Sequence, residues 1–123
     1  RTGAVTQTAA TTTFGRGDVV LVPVPFTNLR ASRYRPGLVV SSDGYNQTTT
    51  DVIIAQVTGN VTGHPRVGGY HVTDWGQAGL ATPSLVRAKL ATFQNSIVGR
   101  RLGQMPEAEM RQVEDNLRNV LGL

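Results

Sequence analysis

RPGLVVSSDGYNQTTTDVIIAQVT, residues 35–58, sets two short apolar runs on either side of a stretch rich in Asx, Gly and Thr. Runs of Val, Ile and Leu bounded by such residues read as β-strands joined by a turn. The strands are predicted over 36–42 and 51–58, with a turn over 43–50. DVVLVPV, residues 18–24, adds an earlier strand, and Pro23 and Pro25 place it at an edge or at its end, because proline cannot donate to a ladder. Residues 27–34, TNLRASRY, form a polar loop. Beyond the hairpin come a glycine-rich loop over 59–69 and a short strand over 70–73. DWGQAGL, 74–80, follows as a tight turn or a single helical turn, with Trp75 as a core anchor. In SLVRAKLATF, 84–93, Val86, Ala88 and Leu90 share one face and Arg87 and Lys89 the other, the period of a strand. A last, curved strand is predicted over 96–102, with Gly99 permitting the bend. The end differs: Met110, Val113, Leu117, Val120 and Leu121 recur at helical spacing after Pro106, and Gly122 suits the stop. The chain therefore reads as mainly β, a small and strongly bent antiparallel sheet or barrel closed by one C-terminal α-helix of roughly four turns.

Composition narrows the chemistry. One domain's worth of chain, 123 residues, contains no cysteine, which removes disulfides, thiolate nucleophiles and cysteine-held metals. The apolar runs are too short for a membrane-spanning helix, and residues 1–14 read as a flexible Thr-rich leader rather than a secretory signal. A cytoplasmic location and no membrane partner are expected. Residues 1–105 carry a net charge of +6 and residues 106–123 one of −2, and eleven of the twelve cations are arginine. A basic body rich in forked, always-charged guanidinium groups fits a polyanionic partner. His64 and His71 lack a third ligand nearby, so no metal is expected. Asp18, Asp43, Asp51 and Asp74 read as turn and capping residues.

One pair is brought together by the hairpin. Pro36 pushes Arg35 into the extended region. With the hairpin centred near Gln47, Arg35 falls opposite or diagonal to Thr58, with Cβ atoms about 5–8 Å apart. A guanidinium beside a hydroxyl makes a phosphate cradle. An exposed strand-end charge beside a β-forming threonine is the plainer alternative, and the register alone leaves both open.

GDVVLVPVPFTNLRASRYRPGLVVSSDGYN resembles the front half of the MazF/PemK toxins of type II toxin–antitoxin systems. The shared order is Gly-Asp, an apolar strand, a polar loop, Arg-Pro, a Val-rich strand and a Ser-Asp turn. AQVTGN, DWGQAGLATPSLVRAKLATF and the ending RRLGQMPEAEM…NVLGL add to it, so the likeness spans residues 15–123. The resemblance implies a small SH3-like antiparallel β-barrel with a C-terminal helix, as in the CcdB and MazF folds, and a homodimer. It implies an endoribonuclease that cuts single-stranded RNA, mRNA included, at a short sequence, with no metal or other cofactor. A cognate antitoxin is the implied partner, a disordered acidic–apolar segment lying across the RNA groove. By the same resemblance Arg35 and Thr58 stand at the catalytic Arg and Thr positions, and Ser84 at a polar position lining the groove. Arg30, Arg33, Arg87 and Lys89 are the expected RNA-contacting cations, and Tyr34 a stacking platform. Many relatives carry Glu or Gln in the loop before Arg-Pro. Here that loop holds Asn28, Arg30, Ser32 and Arg33, which leaves the general base unassigned. Two other readings share the barrel: a CcdB-like DNA gyrase poison, against which the ending Val120-Leu121-Gly122-Leu123 and the mid-chain Trp75 argue, and a non-catalytic RNA- or peptide-binding barrel.

Overall fold

The computed structural model describes residues 13–24, 33–62 and 69–123. Six strands form one antiparallel sheet: β1 (Asp18–Val24), β2 (Arg33–Val39), β3 (Asp51–Thr58), β4 (Tyr70–His71), β5 (Leu85–Gln94) and β6 (Arg101–Gln104). Their order across the sheet is β4-β5-β3-β2-β1-β6. β4 pairs only with β5 and β6 only with β1, so the two edges of the curled sheet do not close on each other among the described residues. Helix α1 (Asp43–Thr48) joins β2 to β3, and helix α2 (Glu107–Leu121) ends the chain. Among the described residues no helix is long and apolar enough to cross a membrane.

Both faces of the sheet are buried. Val19, Leu38, Ala55, Val57 and Val86 pack on one face with Met110 and Val113 of α2. Val20, Val22, Val39, Val52, Ile54 and Phe93 pack on the other, with Phe14 beneath them. That is why DVIIAQVT reads as a continuous apolar run rather than an alternation. The C-terminal helix has the expected residues and span, with Gly122 in the left-handed region (φ 73°) accepting the stop. Its stripe is buried at Met110 and Val113, while Val120 and Leu121 are exposed at 42% and 55%.

Three local expectations change. Residues 43–50 are not a turn throughout: Ser42 Oγ accepts from the Tyr45 N–H at 3.1 Å and starts a short helix. Thr48 and Thr49 hydroxyls donate back to the Gly44 and Tyr45 carbonyls and stop it. β2 begins at Arg33 rather than at residue 36, because its first half pairs with β1 alone, Arg33 lying opposite Val24. The predicted strand over 96–102 divides into a 3₁₀ turn (Asn95–Ile97) and β6. Before β6 the chain is tied to β1 by Gly99 N–H donating to Leu21 O at 2.7 Å, and a bulge between Val19 and Val20 accommodates the bend.

Candidate active site

β2 and β3 are joined by a ladder only at Gly37↔Gln56, Leu38↔Ala55 and Val39↔Ile54. Pairing stops one residue short of Pro36, which has no N–H to give. Continued by two residues, the same register sets Arg35 level with Thr58. Beyond the last rung the strands enclose a hollow of about 430 Å³, lined by Val24, Arg35, Pro36, Gln56, Val57, Thr58, Gly59 and Asn60. The hairpin thus brings the two singled-out residues to one cavity. Arg35 lies opposite Val22 and Thr58 follows Ile54 by two strand repeats, so both side chains belong to the face that buries Val22 and Ile54.

The polar groups are set for an anion. Arg35 is exposed, and among the described residues no carboxylate stands within ion-pair reach of it. Thr58 Oγ1 accepts from the Asn60 N–H at 3.1 Å. That bond fixes the hydroxyl oxygen and leaves its proton to be donated elsewhere. Among the described residues no carboxylate lines the hollow. Arg33, two residues before Arg35, shares its face and is exposed.

The other predicted residues fall in different places. Arg87 Nη1 donates to Gln56 Oε1 at 2.9 Å, which sets it behind the hollow wall. Lys89, two residues on, is exposed. Tyr34 lies on the opposite face of β2 from Arg35, half exposed, with its hydroxyl donating to Ile97 O at 3.3 Å. Ser84 is buried, its hydroxyl donates to Thr82 O at 2.8 Å, and it is not among the described residues that line the hollow. Arg30 and His64 lie outside the described residues, and among those described no group of three metal-ligating side chains occurs. Asp18 and Asp43 serve as turn acceptors, for the Gly15 and Arg16 N–H groups. Trp75 packs against the core as expected.

Sequence reading passed over Gln56 and Asn60, although Gln56 is the one uncharged polar residue inside an otherwise apolar strand and shares the parity of Thr58. It also passed over Glu109, in the first turn of α2. Its carboxylate is buried and accepts from Tyr70 OH (2.8 Å), Thr73 N (2.5 Å) and Asp74 N (2.9 Å), locking α2 onto β4 and the loop after it. Burial first, and the Glu109 contact second, push the Tyr70 hydroxyl above its ordinary pKa of 10.0. A larger cleft of about 810 Å³ lies at the Asp18 end of β1, lined in part by Phe14, Asn95, Arg100 and Arg101. Of its two cations, Arg101 is paired with Asp18 at 3.4 Å.

Residues 15–121 match the family described as PemK-like, MazF-like toxin of type II toxin–antitoxin system. No curated protein sequence matches the chain. An endoribonuclease solved with its cognate antitoxin, from a mycobacterial species, is 22% identical with a TM-score of 0.71, over 89% of this chain and 96% of that one. MazF of Deinococcus radiodurans is 25% identical with a TM-score of 0.67, over 92% of this chain and 100% of that one. A MazE–MazF complex of the same organism is 22% identical with a TM-score of 0.71, over 91% and 99%. These likenesses carry the fold: a bent antiparallel sheet with a C-terminal helix.

Proposed function

From the membership of this chain in the PemK-like, MazF-like toxins of type II toxin–antitoxin systems, we propose that it is an endoribonuclease acting on single-stranded RNA, mRNA included, at a short sequence. The ribose 2′-oxygen attacks the adjacent phosphorus, the O2′–P bond forms and the P–O5′ bond breaks. The products are a cyclic phosphate and a 5′-hydroxyl end. Negative charge grows on the non-bridging oxygens as the phosphorus becomes pentacoordinate. Arg35 neutralises that charge, and the Thr58 hydroxyl donates to one of those oxygens. A fixed donor aimed at developing charge is worth about 3–4 kcal/mol of barrier. Arginine keeps its proton, so the 2′ proton passes to another group or to water as O2′ attacks, and the departing O5′ takes up a proton from solvent.

The observation that carries this reading is the meeting of Arg35 and Thr58 in one carboxylate-free hollow at the mouth of the β2–β3 hairpin. The solved relatives include complexes with an antitoxin. The antitoxin of this chain is read as an acidic–apolar segment that covers the basic face and excludes RNA, and the toxin as a cytoplasmic homodimer. Incubation with a long single-stranded RNA in EDTA tests the activity. Discrete fragments with 5′-hydroxyl ends are expected, absent with Arg35→Ala. Intact RNA in the same incubation, together with blocked DNA supercoiling, would replace this reading with the gyrase one.

A further inference from the structure

β5 bulges at the level of Gln56. Its pairing with β3 runs to Ala55↔Leu90 and resumes at Val57↔Val86, so Gln56 alone faces Arg87, Ala88 and Lys89. A bulge of this kind re-aims the side chains within it. Here Arg87 Nη1 donates to Gln56 Oε1 at 2.9 Å. Arginine has donors and no acceptor. The amide atom turned toward it is therefore oxygen, and the Nε2 amino group points away from Arg87. Across the ladder, Gln56 is level with Gly37, which has no side chain to cover it. Gln56 is half-buried and lines the hollow that holds Arg35 and Thr58.

We propose that Gln56, held by Arg87, is a specificity-determining residue that reads a base beside the scissile phosphate. The proposal rests on the endoribonuclease reading above. The phosphate is served by a cation and a hydroxyl. A neutral amide with its oxygen occupied offers N–H donors only, which suits a base edge carrying a carbonyl. Uracil (O4) and guanine (O6) present an acceptor there, whereas cytosine and adenine present an amino donor. The site accordingly favours a keto base over an amino base at one position of its recognition word. Arg87 is a positioning residue: it forbids the flip that would turn Oε1 toward the base.

Two measurements on the purified full chain separate this proposal from the reading beneath it. The first is sequencing of the 5′-hydroxyl ends cut from a randomised RNA pool. The second is binding of short RNAs that differ by uracil or cytosine, and by guanine or adenine, at each position. Wild type is expected to favour the keto base about tenfold or more at one position. Gln56→Glu keeps an acceptor for Arg87 but presents no donor, and should abolish or reverse that preference while the other positions keep theirs. Gln56→Met should abolish it without reversal. Arg87→Ala should admit both base classes, and Arg87→Lys should restore the keto preference, a pattern that a merely structural role would not produce. An unaltered word in Gln56→Glu, with cutting intact, overturns the proposal and leaves the nuclease standing. Keto preference in binding that Gln56→Glu removes, without any cutting, upholds the base reading and overturns the nuclease. Absence of both cutting and base preference overturns the two together.

Discussion

At Gly37 the absence of a side chain is itself structural. A Cβ there would stand 2.5 Å from Ile54 Cγ2 and 3.3 Å from Val22 Cγ2, both belonging to fully buried residues. Gly37→Val should therefore lower stability by about 2 kcal/mol through overpacking, read as a reduced urea midpoint at unchanged slope. The meeting of Arg35 and Thr58 in one hollow was legible in the sequence once the hairpin was centred near Gln47, since the observed pairing of Gly37 with Gln56 carries the same register on to Arg35 and Thr58. Gln56 was not. Its significance depends on a bulge in β5, and nothing in SLVRAKLATF marks where the alternation slips. Tyr34 and Ser84 show the opposite limit: residue type suggested a stacking ring and the family resemblance a groove-lining hydroxyl, whereas strand parity turns Tyr34 to the other face and the Ser84 hydroxyl donates to the Thr82 carbonyl.

Helix α1 occupies a segment whose Asx, Gly and Thr content reads as a turn. What converts it is a cap on one side and two side-chain bonds on the other, made by residues that favour either structure. Ser42→Ala removes the cap and should cost about 1 kcal/mol in a denaturant melt, with α1 losing amide protection first. The α2 helix was legible from its apolar period, since Met110 and Val113 face a core that any amphipathic helix would seek. Its anchoring by Glu109 was hidden, because the donors come from Tyr70, Thr73 and Asp74, which lie more than thirty positions away in the chain. Tyr70→Phe deletes one of those donors and should lower stability by about 1–2 kcal/mol. The pH dependence follows from the raised Tyr70 pKa. Above pH 10 the unfolded chain sheds the tyrosine proton while the folded chain retains it, so this contribution is whole below that pH and fades as the pH climbs through the folded value. Wild-type stability should accordingly drop more steeply than that of Tyr70→Phe in alkaline melts.

Over the whole molecule, charge is segregated by structure as well as by sequence. Arg33, Arg35 and Arg87 gather at one end of one sheet face, while the acidic tail is α2, packed against the other face. With Arg33 and Arg35 neutralising two phosphates of a single-stranded RNA, the slope of log affinity against log salt is about −1.4, and Arg33→Ala should make it shallower by about 0.7. The overall charge asymmetry was visible in the composition, but its collection at the hairpin mouth follows from register and curvature. The most direct check is the single-turnover cleavage rate, in EDTA, of Arg35→Ala, Thr58→Val and the double variant. If the two groups grip the same phosphate, each single change slows cutting by roughly 10²–10³-fold, and the double change costs much less than the product of the two. A Thr58→Val or Arg35→Ala protein that cuts at the wild-type rate would contradict the account.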